Sequence, residues 1–424
     1  MTFLEAAAAV DRFLLRANRP VQYTVIAATV LHMIAVAIPN VPRAYVDYDR
    51  VPLLSGVPQY ETYGTDTIGN SYVAKVVLND PLDMYTKARL EQTPLEKATW
   101  SREASAPYPP VALLTAAVLY AVGAATGIGF YGMVLLLAVL FVALSLWYFL
   151  RTRWYLFPLL YLNFTYFGHR FVYVQDDSYL AMLVVVMIAL VLARAGREVS
   201  HLLMAVAITM KLSPAAYAWH ILTMRRRTAM LFAAILFGGL VLPYFIVDNY
   251  LYIYTFHEQV KGNLYDTVAA AVLVAPFTIV LWYVQARLGF DAEDRIGWSL
   301  VPFAMFIGIK MRVARHLLIA LLVPDKRGPR NIAASIGLAL HAAAPDVFRL
   351  GSVLYITTVI LFAILAHYLW RVGWATVRDD ARHPLRTVQL MLSERLPGAM
   401  ATYAVSIAPV LRRGGDVPFD TRLP

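Results

Sequence analysis

Asp47 and Asp49 stand at i and i+2 in Tyr45-Val46-Asp47-Tyr48-Asp49-Arg50. Two carboxylates this close suit a general base beside a metal or sugar ligand. The same pattern fits a solvated loop, because aspartate favours turns. A second acidic pair, Asp176-Asp177, follows Gln175 where an apolar run begins. Asp177 precedes Ser178-Tyr179-Leu180-Ala181, so it suits a helix N-cap as well as a site.

The cations are placed less conventionally. Lys211 interrupts an apolar run in Met210-Lys211-Leu212-Ser213-Pro214. A lysine there is costly in lipid and should face a wet cavity or an anion. The proline removes a backbone donor and breaks the helix, as at many membrane binding sites. Snorkelling from a helix end is the plainer alternative. Further along, Arg312, Arg315 and His316 lie at i, i+3 and i+4, with Lys310 nearby. On a helix they share one face and would cradle a phosphate or diphosphate. They also fit a short cytoplasmic loop rich in basic residues. His257 and Glu258 belong to a Tyr-rich segment and are candidates to line an acceptor path or plain solvated residues. His201, His220, His341 and His367 share no ligand spacing, so no metal site is expected from them.

These residues sit in a chain built for lipid. It has 424 residues, 60% of them hydrophobic, and a mean hydropathy of +0.59. Apolar runs of about 20 residues recur, which is the signature of membrane-crossing helices. The runs are continuous rather than alternating, which favours helices over barrel strands. After a first span at about 21–39 they fall near 109–125, 128–150, 154–168, 178–195, 198–223, 228–247, 265–286, 297–323, 331–345 and 350–371. The expected fold is an all-α polytopic bundle of about 11–13 transmembrane helices, one domain over 1–371. Its first outer loop, 40–107, carries Asp66, Asp80 and Asp83 besides the first acidic pair, and short juxtamembrane helices. A basic tail, 372–424, contains an amphipathic piece near 385–396 suited to a membrane surface. The segment 1–20 reads the same way, with Arg12, Arg16 and Arg19.

Net charge is +10, which follows from the excess of Lys and Arg in cytoplasmic loops rather than from nucleic-acid binding. Cysteine is absent, which excludes disulfides, thiolate metal sites and a cysteine nucleophile. Holding Arg151, Arg153, Arg194, Arg197, Arg225–Arg227, Lys326–Arg330 and the tail on the cytoplasmic side places 40–107, 175–177 and 248–266 outside. The runs 198–223 and 297–323 must then each enter and return, as paired short helices broken at Lys211 and Lys310. The run 109–125 upsets the parity, so it is expected as a partial or in-plane helix unless Arg151 and Arg153 lie outside.

The order of features resembles a known family. A long outer loop with an early Asp is followed by Pro107-Tyr108-Pro109-Pro110, then Gln175-Asp176-Asp177, then Lys211-Leu212-Ser213-Pro214. This is similar to the GT-C superfamily of membrane glycosyltransferases, and most like the polyprenol-phosphate-mannose-dependent mannosyltransferases of bacterial envelopes, the GT87 group. The likeness covers about residues 20–225; Val174-Gln175 stands where that family has Gly-Gln, and Ser213 where it often has Tyr. It implies an inverting enzyme of the plasma membrane working on its extracytoplasmic side. A sugar, mannose by the family, would pass from a polyprenyl phosphate to an envelope glycolipid or glycan. Asp47 or Asp49 would be the base. Lys211, Lys310, Arg312, Arg315 and His316 would hold the lipid phosphate. Tyr108, Gln175, Asp176, Asp177, His257 and Glu258 would bind substrate. No cofactor is required, though the twin acids leave room for a divalent ion, and the chain is expected to act as a monomer. A secondary transporter or flippase for an anionic or lipid-linked substrate is the competing expectation.

Overall fold

An apolar chain in lipid has no water to satisfy its backbone, so helices are the economical answer. Every regular element among the described residues is helical. The computed structural model describes residues 3–37, 74, 77–82, 84, 109–159, 177–248, 264–311 and 350–393. Helix α1 (Phe3–Leu15) leads into α2 (Arg19–Ala37). Beyond residues 40–107 come α3 (Pro110–Thr126) and α4 (Gly129–Leu150), then α5 (Asp177–Arg194) and α6 (Val199–Met210). A 3-10 segment, Ala215–Thr223, precedes α7 (Arg226–Leu236). The chain continues through a π-helical turn, Phe237–Val241, to a last turn at Pro243–Ile246. Then follow α8 (Leu264–Arg287), α9 (Ala292–Met311), α10 (Leu350–Val372), α11 (Trp374–Arg382) and α12 (Pro384–Ser393).

Among the described residues three helices are long and apolar enough to cross a membrane: Gly132–Leu150, Arg226–Ile246 and Val268–Arg287. A fourth forms if Thr358–Val372 and the bent Trp374–Arg382 count as one span. Pro110–Thr126, Tyr179–Arg194 and Val199–Met210 are apolar but shorter. The run expected as a partial or in-plane helix is thus a 17-residue helix, whose Ala112, Leu113, Ala116 and Ala117 are buried. The apolar runs 154–168 and 331–345 lie largely or wholly outside the described residues.

Burial explains why the runs are continuous. Helix α5 buries residues around most of its circumference, including Leu180, Met182, Leu183, Val186, Ala189 and Leu190. The peripheral helices are apolar on the outside instead. Phe245 is 77% exposed, Val359 67% and Val272 66%. Such an outer surface suits contact with lipid rather than water.

One end of the bundle is laced by ion pairs. Arg153 donates to Asp11 at 3.0 Å, and Trp154 Nε1 donates to the Leu14 carbonyl at 3.0 Å, fixing α1 against the end of α4. Arg287 of α8 donates through Nε to Asp380 Oδ2 at 2.9 Å, and the Tyr283 hydroxyl donates to the same oxygen at 2.5 Å. Burial raises the Asp380 pKa, but hydrogen bonds from Tyr283 and Arg287 and the guanidinium charge outweigh it, so its carboxyl is held below the usual range. A folded value below the unfolded one means the contact stabilises fully above about pH 4 and is lost as pH falls through the lower folded value. Asp380→Asn is therefore expected to cost about 2 kcal/mol near neutral pH. The gap to wild type, read by thermal unfolding in detergent, should close in acid.

Candidate functional site

The site begins at a helix that stops early. Helix α6 ends at Met210, and Lys211 takes an extended conformation, φ −155° and ψ 133°, while its N–H still donates to the Ala207 carbonyl at 3.0 Å. Pro214 follows, whose ring forbids continuation. The chain then winds as the 3-10 segment rather than as α-helix. A stretch of nine residues is long for that geometry, whose hydrogen bonds are poorer, so side chains must hold it. Trp219 stacks on Trp282 of α8, rings 4.5 Å apart and 6° from parallel. The buried Tyr217 hydroxyl lies 2.7 Å from His201 Nδ1.

The two pieces form a helical hairpin. Helix α6 has 12 residues and rises about 18 Å. The 3-10 segment has nine and rises about 18 Å. Yet Glu198, just before the first piece, accepts from Arg225 Nε at 2.7 Å, just after the second, and from the Thr228 hydroxyl at 2.8 Å. The chain has gone in and come back. Lys211-Leu212-Ser213-Pro214 is the tip, about 20 Å from the Glu198 end.

The tip meets the start of α5. Lys211 Nζ stands 4.8 Å from the ring centroid of Tyr179, a cation–π contact. Tyr179 is two residues beyond Asp177, the first residue of α5. Two stretches singled out from the sequence, Asp177 and Lys211, thus converge on one end of the α5–α6 pair. Close packing also holds α6 just before the tip. A Cβ on Gly239 would fall 2.4 Å from Thr209 Cγ2, so only glycine lets the π-helical turn lie this close to α6. A π-helical turn breaks the regular ladder and often accompanies a functional site.

Lys310 lies in the last turn of α9, which is unbroken from Ala292 to Met311, so any break of that run comes beyond Met311. Asp47, Asp49, Tyr108, Gln175, Asp176, His257, Glu258, Arg312, Arg315 and His316 lie outside the described residues. Among the described residues no three His, Asp or Glu side chains gather as a metal site.

Tyr179 and Gly239 do not stand out in the sequence as site residues. Tyr179 reads only as part of the helix that follows the Asp177 cap. Its role depends on the rotation of α5 relative to the hairpin tip. The Gly238-Gly239 pair in an apolar run was the available signal for close approach.

A second polar cluster sits at the opposite, ion-paired end. Glu293, in the first turn of α9, is 2% exposed and accepts from the buried Tyr148 hydroxyl. Arg194, in the last turn of α5, approaches it at 3.6 Å and donates to the Arg151 carbonyl at 3.1 Å. Each charge stands at the helix end that favours its sign. This cluster ties α4, α5 and α9 together and lies a helix length from Lys211.

No family model matches the chain, and neither a curated protein nor a solved structure matches it.

Proposed function

We propose that the chain is an inverting, polyprenyl-phosphate-dependent glycosyltransferase of the plasma membrane, with a GT-C-like bundle of about 11–13 transmembrane helices. The observation that carries this reading is Lys211 at the tip of the broken hairpin, beside the Asp177 end of α5. With the arginine-rich end in the cytoplasm, the tip lies about 20 Å into a hydrocarbon core of about 30 Å. From about 10 Å beneath the outer edge of the core, a lysine side chain reaches toward the headgroup level, where a lipid phosphate of the outer leaflet meets groups from an outer loop.

In the reaction, Asp47 or Asp49 takes the proton of an acceptor hydroxyl. The hydroxyl oxygen forms a bond to the anomeric carbon as the bond from that carbon to the phosphate oxygen breaks. Polyprenyl phosphate leaves, and Lys211, Arg312, Arg315 and His316 hold the charge that develops on it. Mannose is the donor sugar suggested by the motif order, and an envelope glycolipid or glycan is the acceptor. Tyr108, Gln175, Asp176, His257 and Glu258 contact the substrates in this scheme.

The test uses the purified full chain, radiolabelled polyprenyl-phosphate sugars and an envelope lipid extract, with and without chelator. Label should move to an acceptor, and the double variant Asp47→Asn/Asp49→Asn should lose transfer while remaining monodisperse. Full transfer by the double variant sinks the assignment of the base. Saturable uptake into proteoliposomes with no covalent product would favour a transporter or flippase instead, a reading that broken helices with a charged tip also fit.

A further inference from the structure

Helix α10 ends at Gly373, whose φ of 91° is a conformation that L side chains rarely adopt. The chain turns there, and α11 leaves at 87°. Helix α10 has 23 residues of its own, enough to cross a bilayer without α11, and with α10 as the span α11 runs along the surface at headgroup level. The inner face of α11 is already occupied, because Asp380 is bound by Arg287 and Tyr283 of α8.

Its outer face is built for something else. Trp374, Arg378 and Arg382 follow one another at i, i+4 and i+8 and are exposed. Trp374 is 65% exposed, as is Trp370 before the bend, and Leu385 on α12 is 64% exposed. Tryptophan and leucine beside arginine fit neither bulk water nor a protein core, but they fit a membrane interface. Charge then selects the lipid. Among the described residues of this surface, Arg371, Arg378, Arg382 and Arg386 stand against Asp379, which pairs with Arg386 at 3.9 Å, since Asp380 is turned inward to Arg287.

Helix α1 repeats the arrangement at the same end. Its Phe13 and Val10 are exposed beside Arg12 and Arg16. Glu5 of α1 lies close enough to His367 of α10 to act on its charge, so α1 and α11 flank one corner of the bundle.

We propose that the outer face of α11, continued by α12 and flanked by α1, docks on anionic phospholipid headgroups of the leaflet at which α10 ends. The inference rests on the membrane reading of α10 and is independent of any glycosyl transfer.

The chain has no cysteine, so Ala381→Cys introduces a unique labelling position on the Trp374 stripe. The full-length variant carries a nitroxide there and is placed in nanodiscs of phosphatidylcholine, with or without phosphatidylglycerol. Collisions with oxygen report lipid and collisions with a nickel chelate report water. The label should become shielded from nickel and open to oxygen as phosphatidylglycerol is added. Arg378→Gln and Arg382→Gln should each lower the docked-to-undocked ratio about fivefold. Equal nickel access in neutral and anionic discs overturns the proposal. So does shielding from both agents whatever the lipid, which would mean that residues 394–424 cover the face. So does spin–spin broadening, which would mean a second copy covers it. Should the arginine variants fail to fold, the lipid dependence of the Ala381→Cys label alone decides.

Discussion

Replacing Lys211 by methionine is expected to lower sugar transfer by about 10²–10³-fold, the loss usual when one donor to a developing anion is removed. The substitution should be tolerated by the fold. Lys211 already lies outside α6, its N–H bond to Ala207 is backbone, and methionine keeps the length of the side chain without the charge. The loss should fall on kcat and kcat/KM together, because charge accumulates on the lipid phosphate only as the glycosidic bond breaks. A rise in KM alone would assign Lys211 to ground-state binding. Wild-type transfer by Lys211→Met would end its role as phosphate ligand. Tyr179→Leu offers a milder companion test. The ring orients the ammonium at a contact worth about 0.5–1 kcal/mol, so transfer should drop by several-fold.

Glu293→Ala should destabilise the bundle by about 3 kcal/mol, measured by denaturation in detergent. The carboxylate is buried at the start of α9, and two partners from different helices depend on it. The Tyr148 hydroxyl is the costlier to strand, since the ring is fully buried and water does not reach it. Arg194 is 40% exposed and can turn to solvent, so little of the loss comes from its side. A cycle with Tyr148→Phe separates the two. If the hydroxyl contact dominates, Glu293→Ala should cost much less in the Tyr148→Phe background. A change within about 0.5 kcal/mol in the single variant would show that the contact does nothing for stability.

Much of this layout was legible along the chain. The run expected at 178–195 is α5, Asp177–Arg194, and 265–286 is α8, Leu264–Arg287. The break at Lys211-Leu212-Ser213-Pro214 was foreseen from a proline and a charge in an apolar run, and so was the return of 198–223 to its starting side. The amphipathic piece expected near 385–396 is helical over Pro384–Ser393, but neither the 87° bend at Gly373 nor the capture of Asp380 by α8 could be read from the sequence.

The difference has one physical origin. Lipid forces each segment to satisfy its own backbone, so helical runs, caps and proline breaks are decided within a few residues and can be read in order. Which side chains then meet depends on how helices rotate and pack against partners far away in the chain. Tyr148 reaches Glu293 across 145 positions, and Arg287 reaches Asp380 across 93. Lys211 announced itself by composition, because a charge in an apolar run needs a reason wherever it lies. That it rests on Tyr179 at the start of α5, held from behind by the close approach of Gly239 to Thr209, follows only from the packing of three helices around the hairpin tip.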